Sequence, residues 1–200
     1  MAGSRHISLR SIVIGSTAIL AFLLGAPAAQ AEKGGGCPSQ VLERPFAPWN
    51  DHAQYTLVPD GDLTGGAAGW DLDGAELVED NEPWYVHGGE TPAALRLSGG
   101  DSATTPPICV TVLHPTMRFF ARSAGGALGT MTVEVLYGDG QSLPVGVLVG
   151  LVQGDEWGPS APLAVVANLL SDEVRFRFTA VGAHSAWVID DVYVDPYGKG

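Results

Sequence analysis

Four histidines stand downstream of the first thirty residues, His52, His87, His114 and His184, and each is isolated. The chain holds no His-Glu-x-x-His, no His-x-His, no Gly-x-Ser-x-Gly and no Gly-x-x-x-x-Gly-Lys. The spacings that set a base beside a nucleophile, two imidazoles on one metal, or a glycine-rich loop around a phosphate are therefore missing. Carboxylates are plentiful, with 22 Asp and Glu, and a pair at glycosidase separation arises by chance in so large a set. What remains is the chemistry of recognition. Trp84 and Tyr85 lie between Asn81 and His87, and Trp157 follows Asp155 and Glu156 in a loop bounded by Gly and Pro. Flat rings beside polar groups suit a pyranose, whose C–H face stacks on the ring while its hydroxyls take hydrogen bonds. The same rings also serve as ordinary packing residues, and all five Trp fit in one core. Trp157 is the ring expected to be most exposed; Trp70 and Trp187, beside strand-like stretches, are expected inside. Arg175 and Arg177 alternate along one strand-like stretch, and Arg118 and Arg122 share a face of another. Side by side these would make a cationic patch for acidic sugars or a partner's carboxylates. The alternative is cross-strand pairing with Glu134 or Glu173.

Charge narrows the partners. Ten Lys and Arg against 22 acids give −12, which excludes the basic face a nucleic-acid binder needs and a surface held on anionic lipid by charge. Residues 1–31 read as a secretory signal: Arg5 and Arg10, an apolar run from Ile12 to Leu24, the breaker Pro27, and Ala29-Gln30-Ala31 before the cut. That run is short for a bilayer-spanning helix; the alternative is an uncleaved N-terminal anchor. Cleavage after Ala31 would leave a secreted chain with no membrane segment. Outside the cytosol two cysteines, Cys37 and Cys109, are expected to pair. The bridge would close a loop of about 70 residues, worth about 4 kcal/mol by chain entropy. Two Cys so far apart lack the tight spacing zinc prefers.

The elements that must position these residues are strands. Gly at 27 and Pro at 14 make one residue in five, a composition helices tolerate badly and turns use freely. Short apolar stretches fall at 55–58, 74–79, 84–87, 93–98, 106–113, 116–123, 130–137, 143–152, 161–169, 173–181 and 186–194, and none has a sustained helical period. Met131 to Tyr137 is apolar at odd positions, Val174 to Ala180 at even ones, and Val192 and Val194 face in with Tyr193 opposite. Gly138-Asp139-Gly140 marks a hairpin. Residues 32–54, with Pro38, Pro45 and Pro48 around Phe46 and Trp49, read as an extended leader packed on the domain by its aromatics. About ten strands without a useful helix predict one all-β domain over 55–197, an antiparallel β-sandwich.

Two stretches carry a resemblance. Leu57-Val-Pro-Asp-Gly-Asp-Leu-Thr-Gly-Gly-Ala-Ala-Gly-Trp70 opens the domain and Trp187-Val-Ile-Asp-Asp-Val-Tyr-Val194 closes it. This resembles galactose-binding-like β-jelly rolls, especially secreted carbohydrate-binding modules, which often open with Asn/Asp-Gly-x-Phe-Glu and then Gly-Trp, and close on aromatic-x-Ile-Asp-Asp-Val. Leu63-Thr64 departs from the usual Phe-Glu. The whole chain is also similar to small secreted bacterial proteins of unknown role. The resemblance implies that the first and last strands are neighbours, so that Asp190, Asp60 and Thr64 supply hard oxygens to a structural calcium. The other reading of these residues is a turn at Asp60-Gly61 and solvated acids at Asp190-Asp191.

These readings converge on a secreted jelly roll without catalytic activity. Its expected ligand is extracellular or cell-wall carbohydrate, met through Trp157, Trp84, Tyr85, Arg175 and Arg177. The alternative is an envelope protein whose partner is another extracellular protein.

Overall fold

The computed structural model describes residues 37, 39–88, 91–110, 116–165 and 173–195. The signal reading of 1–31, the first part of the leader, His114 and residues 196–197 lie outside the described residues. Among the described residues, none of the helices is long and apolar enough to cross a membrane.

The strands in chain order are β1 (Thr56–Leu57), β2 (Asp71–Asp73), β3 (Glu76–Val78), β4 (Ala94–Ser98), β5 (Ser102–Thr104), β6 (Ile108–Cys109) and β7 (Thr116–Ser123). After them come β8 (Thr130–Tyr137), β9 (Ser142–Val149), β10 (Gly158–Pro159), β11 (Leu163–Ala164), β12 (Glu173–Val181) and β13 (Ala186–Val194). One helical turn, α1 (Gly150–Gln153), follows β9. Two antiparallel sheets result. The seven-stranded sheet runs β10-β7-β13-β4-β3, with β1 on β13 and β11 on β7; the six-stranded sheet runs β2-β5-β12-β8-β9, with β6 on β12. The first and last strands pair, Thr56 with Val194 and Leu57 with Tyr193. The hairpin at 138–140 joins β8 to β9.

The alternating strands bury the predicted faces. Met131, Val133 and Val135 of β8 and Val174, Phe176, Phe178 and Ala180 of β12 enter the inter-sheet core, where Trp187 is fully buried and Trp70 nearly so. Strands β7 and β13 are buried almost throughout. Such continuous burial needs cover on both faces. Met117, Phe119 and Ala121 point into the inter-sheet core, while Phe120 and Tyr193 join Phe46 and Tyr55 in a second cluster on the other side. The cover is the chain before β1: Glu43 pairs with Tyr55, a 3₁₀ turn spans Ala47–Trp49, and Cys37 is bonded to Cys109 with Cα atoms 5.4 Å apart.

Strand β13 changes parity midway. Trp187 and Ile189 face the core, and so do Val192 and Val194. A register shift between Asp190 and Tyr193, with Asp191 at φ 48°, inserts the extra residue. A short polar side chain tolerates that left-handed backbone. This bulge buries both Asp190 and Asp191, which corrects the solvated reading of the pair.

Three further expectations are corrected. Residues 84–87 form a turn, because the Glu82 carboxylate takes N–H groups a strand would need. The stretch 143–152 ends as a strand at Val149 and enters α1. The four arginines do not meet: Arg118 and Arg122 lie on β7 and Arg175 and Arg177 on β12, in different sheets.

Candidate functional site

The second cluster lies between the leader and the outer face of the seven-stranded sheet. Phe46 meets Tyr55 edge-on at 5.0 Å, Phe120 stacked at 5.3 Å and Tyr193 edge-on at 5.8 Å. Arg118 anchors it: Nε and Nη2 donate to the Ser160 carbonyl, Nη1 donates to Asp51 Oδ2 at 2.8 Å, and the guanidinium lies 4.4 Å from the Phe46 ring centre. Burial alone would raise the Asp51 carboxyl, but hydrogen bonds from Tyr55 and Arg118 and the arginine's charge outweigh it and hold the group below its ordinary value. Tyr193 donates to Glu43 Oε2 at 2.9 Å, with His87 Nδ1 3.1 Å from the same oxygen. His87 thereby ties its loop to the leader.

At the rim of this cluster the chain between β3 and β4 turns outward. Trp84 and Tyr85 are 46% and 47% exposed. Trp84 crosses Trp49 edge-on at 4.7 Å and sits 5.8 Å from Phe120, so the packed cluster fixes its inner edge while its outer part faces water. Trp157, expected to be the most exposed ring, is half-buried. Arg122 lies over it at 5.7 Å, and its indole donates to Asp80 Oδ1 at 3.4 Å. Arg122 also donates to Asp80 Oδ2 at 2.6 Å, and Asn81 N donates to Oδ1 at 2.9 Å. Burial would raise Asp80, but Arg122, Asn81 and Trp157 together hold it below its ordinary value. Two exposed rings, one braced ring, an amide and a paired Asp–Arg thus share one edge. Arg175 and Arg177 are elsewhere: Arg175 Nε donates to the Thr105 carbonyl, and Arg177 grips Glu134 through Nε and Nη2.

Beneath the turn lies a set of acids. Glu82, Asp190 and Asp191 are buried, and Asp62 stands within charge reach of both aspartates. Asp190 Oδ2 accepts from Glu82 N at 3.2 Å and Oδ1 from Asp191 N at 2.8 Å. Asp191 Oδ1 is buried without a hydrogen-bond partner. Burial, then the neighbouring carboxylates, push both aspartates well above the usual carboxylate range. The expected calcium ligands fit only in part. Asp190 is in this set, but Asp60 accepts from Gly65 N and Ala68 N, and the exposed Thr64 hydroxyl donates to Asp62 Oδ2 at 2.9 Å. Among the described residues no three His, Cys, Asp or Glu side chains are arranged as a ready metal site. Sequence reading passed over Glu82, because a single acid before a proline carries no periodic signal; the bulge that sinks Asp190 was legible in the parity change from Ile189 to Val192.

No protein-family model and no curated protein matches the sequence. Solved structures are similar in fold. A GH51 α-L-arabinofuranosidase with arabinose bound aligns at TM-score 0.50 and 15% identity, covering 72% of this chain and 27% of that one. A CBM61 module in complex with β-1,4-galactotriose aligns at 0.44 and 16%, covering 69% and 96%. A CBM22 xylan-binding domain from Paenibacillus barcinonensis aligns at 0.44 and 11%, covering 66% and 88%. The protein is an antiparallel β-sandwich with a jelly-roll fold.

Proposed function

We propose that this chain is a secreted, non-catalytic domain that binds extracellular or cell-wall carbohydrate at the Trp84–Tyr85 turn. The observation that carries this reading is the pair of half-exposed rings beside Asn81 and the Asp80–Arg122 pair. Exposing such apolar area on a folded edge stabilises nothing by itself, and a sugar's C–H face covers it. The charges around the rings favour neutral sugars. Asp80 neutralises Arg122 at 2.6 Å, so an acidic ligand meets an arginine that is already paired. Secretion is supported by the apolar run, the Ala-x-Ala signal and the disulfide.

A glycan panel of neutral and uronic-acid oligosaccharides tests it. Neutral members should bind and acidic ones should bind at least tenfold more weakly. Absence of any binding overturns the carbohydrate reading. The alternative, a protein partner, draws on a different place. Val147, Val149, Leu151 and Val152 are exposed along β9 and α1 beside a cavity of about 160 Å³, and apolar patches of that kind mark protein contacts.

Calcium belongs to the same reading as a structural ion. Asp190 would be the ligand that the last strand supplies, whereas Asp60 and Thr64 are engaged by Gly65, Ala68 and Asp62, and Glu82 by the amides of Trp84 and Val86. The buried, partnerless Asp191 Oδ1 supports this. At a hundredfold excess over its dissociation constant an ion adds about 2.7 kcal/mol. Melting in calcium should exceed melting in chelator for the wild type and not for Asp190→Asn; coincident wild-type curves dismiss the ion.

A further inference from the structure

The turn that presents Trp84 and Tyr85 belongs to no strand: β3 ends at Val78 and β4 begins at Ala94. The turn is closed by backbone bonds from Tyr85 N to Glu82 O at 3.4 Å and from Gly88 N to Tyr85 O at 2.8 Å, and is held from below by one side chain. Glu82 is fully buried. Its Oε2 accepts the N–H of Trp84 at 2.6 Å, and its Oε1 accepts the N–H of Val86 at 2.6 Å. The two bonds straddle Tyr85, which is held at φ 50°, a left-handed conformation rare for an aromatic residue. The carbonyl of Glu82 accepts from Asn81 Nδ2 at 2.7 Å, and its own N–H donates to Asp190 in the β13 bulge. One residue therefore holds the turn by its carboxylate and, through its backbone carbonyl and N–H, engages the neighbouring amide and fastens the turn to the last strand.

Building on the carbohydrate reading above, we propose that Glu82 is the positioning residue of the sugar platform, its carboxylate holding the Trp84–Tyr85 turn in its binding conformation. Only a carboxylate at this reach does so. It offers an acceptor oxygen to each N–H, whereas a carboxamide offers one oxygen and sets an N–H₂ group against the other donor. An aspartate is one methylene too short to span both.

The experiment compares wild type, Glu82→Gln and Glu82→Asp in three readouts. The first is hydrogen exchange at the amides of Trp84 and Val86 in the wild type, which should be at least a hundredfold slower than in an unstructured chain. Exchange at unstructured rates overturns the proposal whether or not a variant folds. The second is the fluorescence of Trp84, isolated as the difference from a Trp84→Phe background. Both Glu82 variants should shift its emission to the red and raise its quenching by acrylamide, without loss of the circular dichroism of the core. An unchanged Trp84 signal in a folded Glu82→Gln protein overturns the proposal. The third is affinity for whichever neutral oligosaccharide the wild type binds, which should fall at least tenfold in both variants; equal affinity overturns it. The first two readouts need no sugar, so failure of the carbohydrate reading and failure of the positioning role are told apart.

Discussion

On the outer face of the six-stranded sheet stand Thr132, Glu134, Arg175, Arg177 and Thr179, every one half-buried and polar. On the outer face of the seven-stranded sheet stand Arg118, Phe120 and Tyr193, all buried under the chain before β1. The inner faces of both sheets are alike. The first outer face is stabilised as it stands, by cross-strand contacts such as Arg177 to Glu134 and by water. The second needs a lid, and the lid needs fasteners: the disulfide, the Arg118 bonds and the Glu43–His87–Tyr193 contacts. Half-exposed rings arise at one place on this sandwich edge. They arise where the lid ends, because there rings are braced on one side by packing and left open on the other.

The largest expected effects come from the two clusters themselves. Phe178→Ala in the inter-sheet core and Phe46→Ala under the lid should each cost about 3–5 kcal/mol in urea unfolding, because both rings are fully buried. A cost below about 1 kcal/mol for Phe46→Ala would show that the lid rests on the sheet without forming a core.

The arginines sharpen the contrast. Arg118→Met should cost about 3 kcal/mol, since it leaves the Ser160 carbonyl and Asp51 without their buried partner. Arg177→Met breaks a pair open to water and should cost under about 1 kcal/mol. Equal costs would erase the distinction between covered and open faces.

A smaller effect concerns pH, and the acids of the lidded face give it two signs. Asp51 is held below its ordinary value of 3.8, so its stabilisation is present above that pH and is lost as pH falls through the lowered native value. Asp190 and Asp191 are raised, so the native state keeps protons the unfolded chain has released, and their contribution is lost as pH climbs from about 4 toward neutrality and beyond. In chelator, wild-type melting should fall across that upper range, and Asp191→Asn should flatten the slope. A wild-type slope unaffected by this substitution would show that the pair does not carry the dependence.

The sandwich and much of its interior were legible in the sequence. Period two in Met131–Tyr137 and Val174–Ala180 fixed which side chains enter the core, because alternation is what a half-buried strand requires. The cysteine pair and the neighbouring first and last strands were legible too, from compartment and from the two end motifs. The covered outer face was not. Phe120 and Tyr193 sit in strands apolar on both sides, a pattern that signals cover but does not say what provides it. The exposure of Trp157 was misjudged for the same reason: a Gly/Pro-bounded loop reads as open, whereas Arg122 and Asp80 reach it from 35 and 77 residues away in the chain. Arg118, Arg122, Arg175 and Arg177 alternate correctly along their strands, yet alternation does not reveal which sheet a strand joins.

Parallel titrations of one neutral oligosaccharide against wild type, Trp84→Ala and Thr179→Ala test the central claim most directly, with melting recorded for each. Thr179→Ala, on the open face, should bind like wild type. Trp84→Ala should melt close to wild type and bind at least tenfold more weakly, a loss of about 1.4 kcal/mol or more. Full affinity in Trp84→Ala, or a loss confined to Thr179→Ala, would contradict the assignment of binding to the edge of the lidded face.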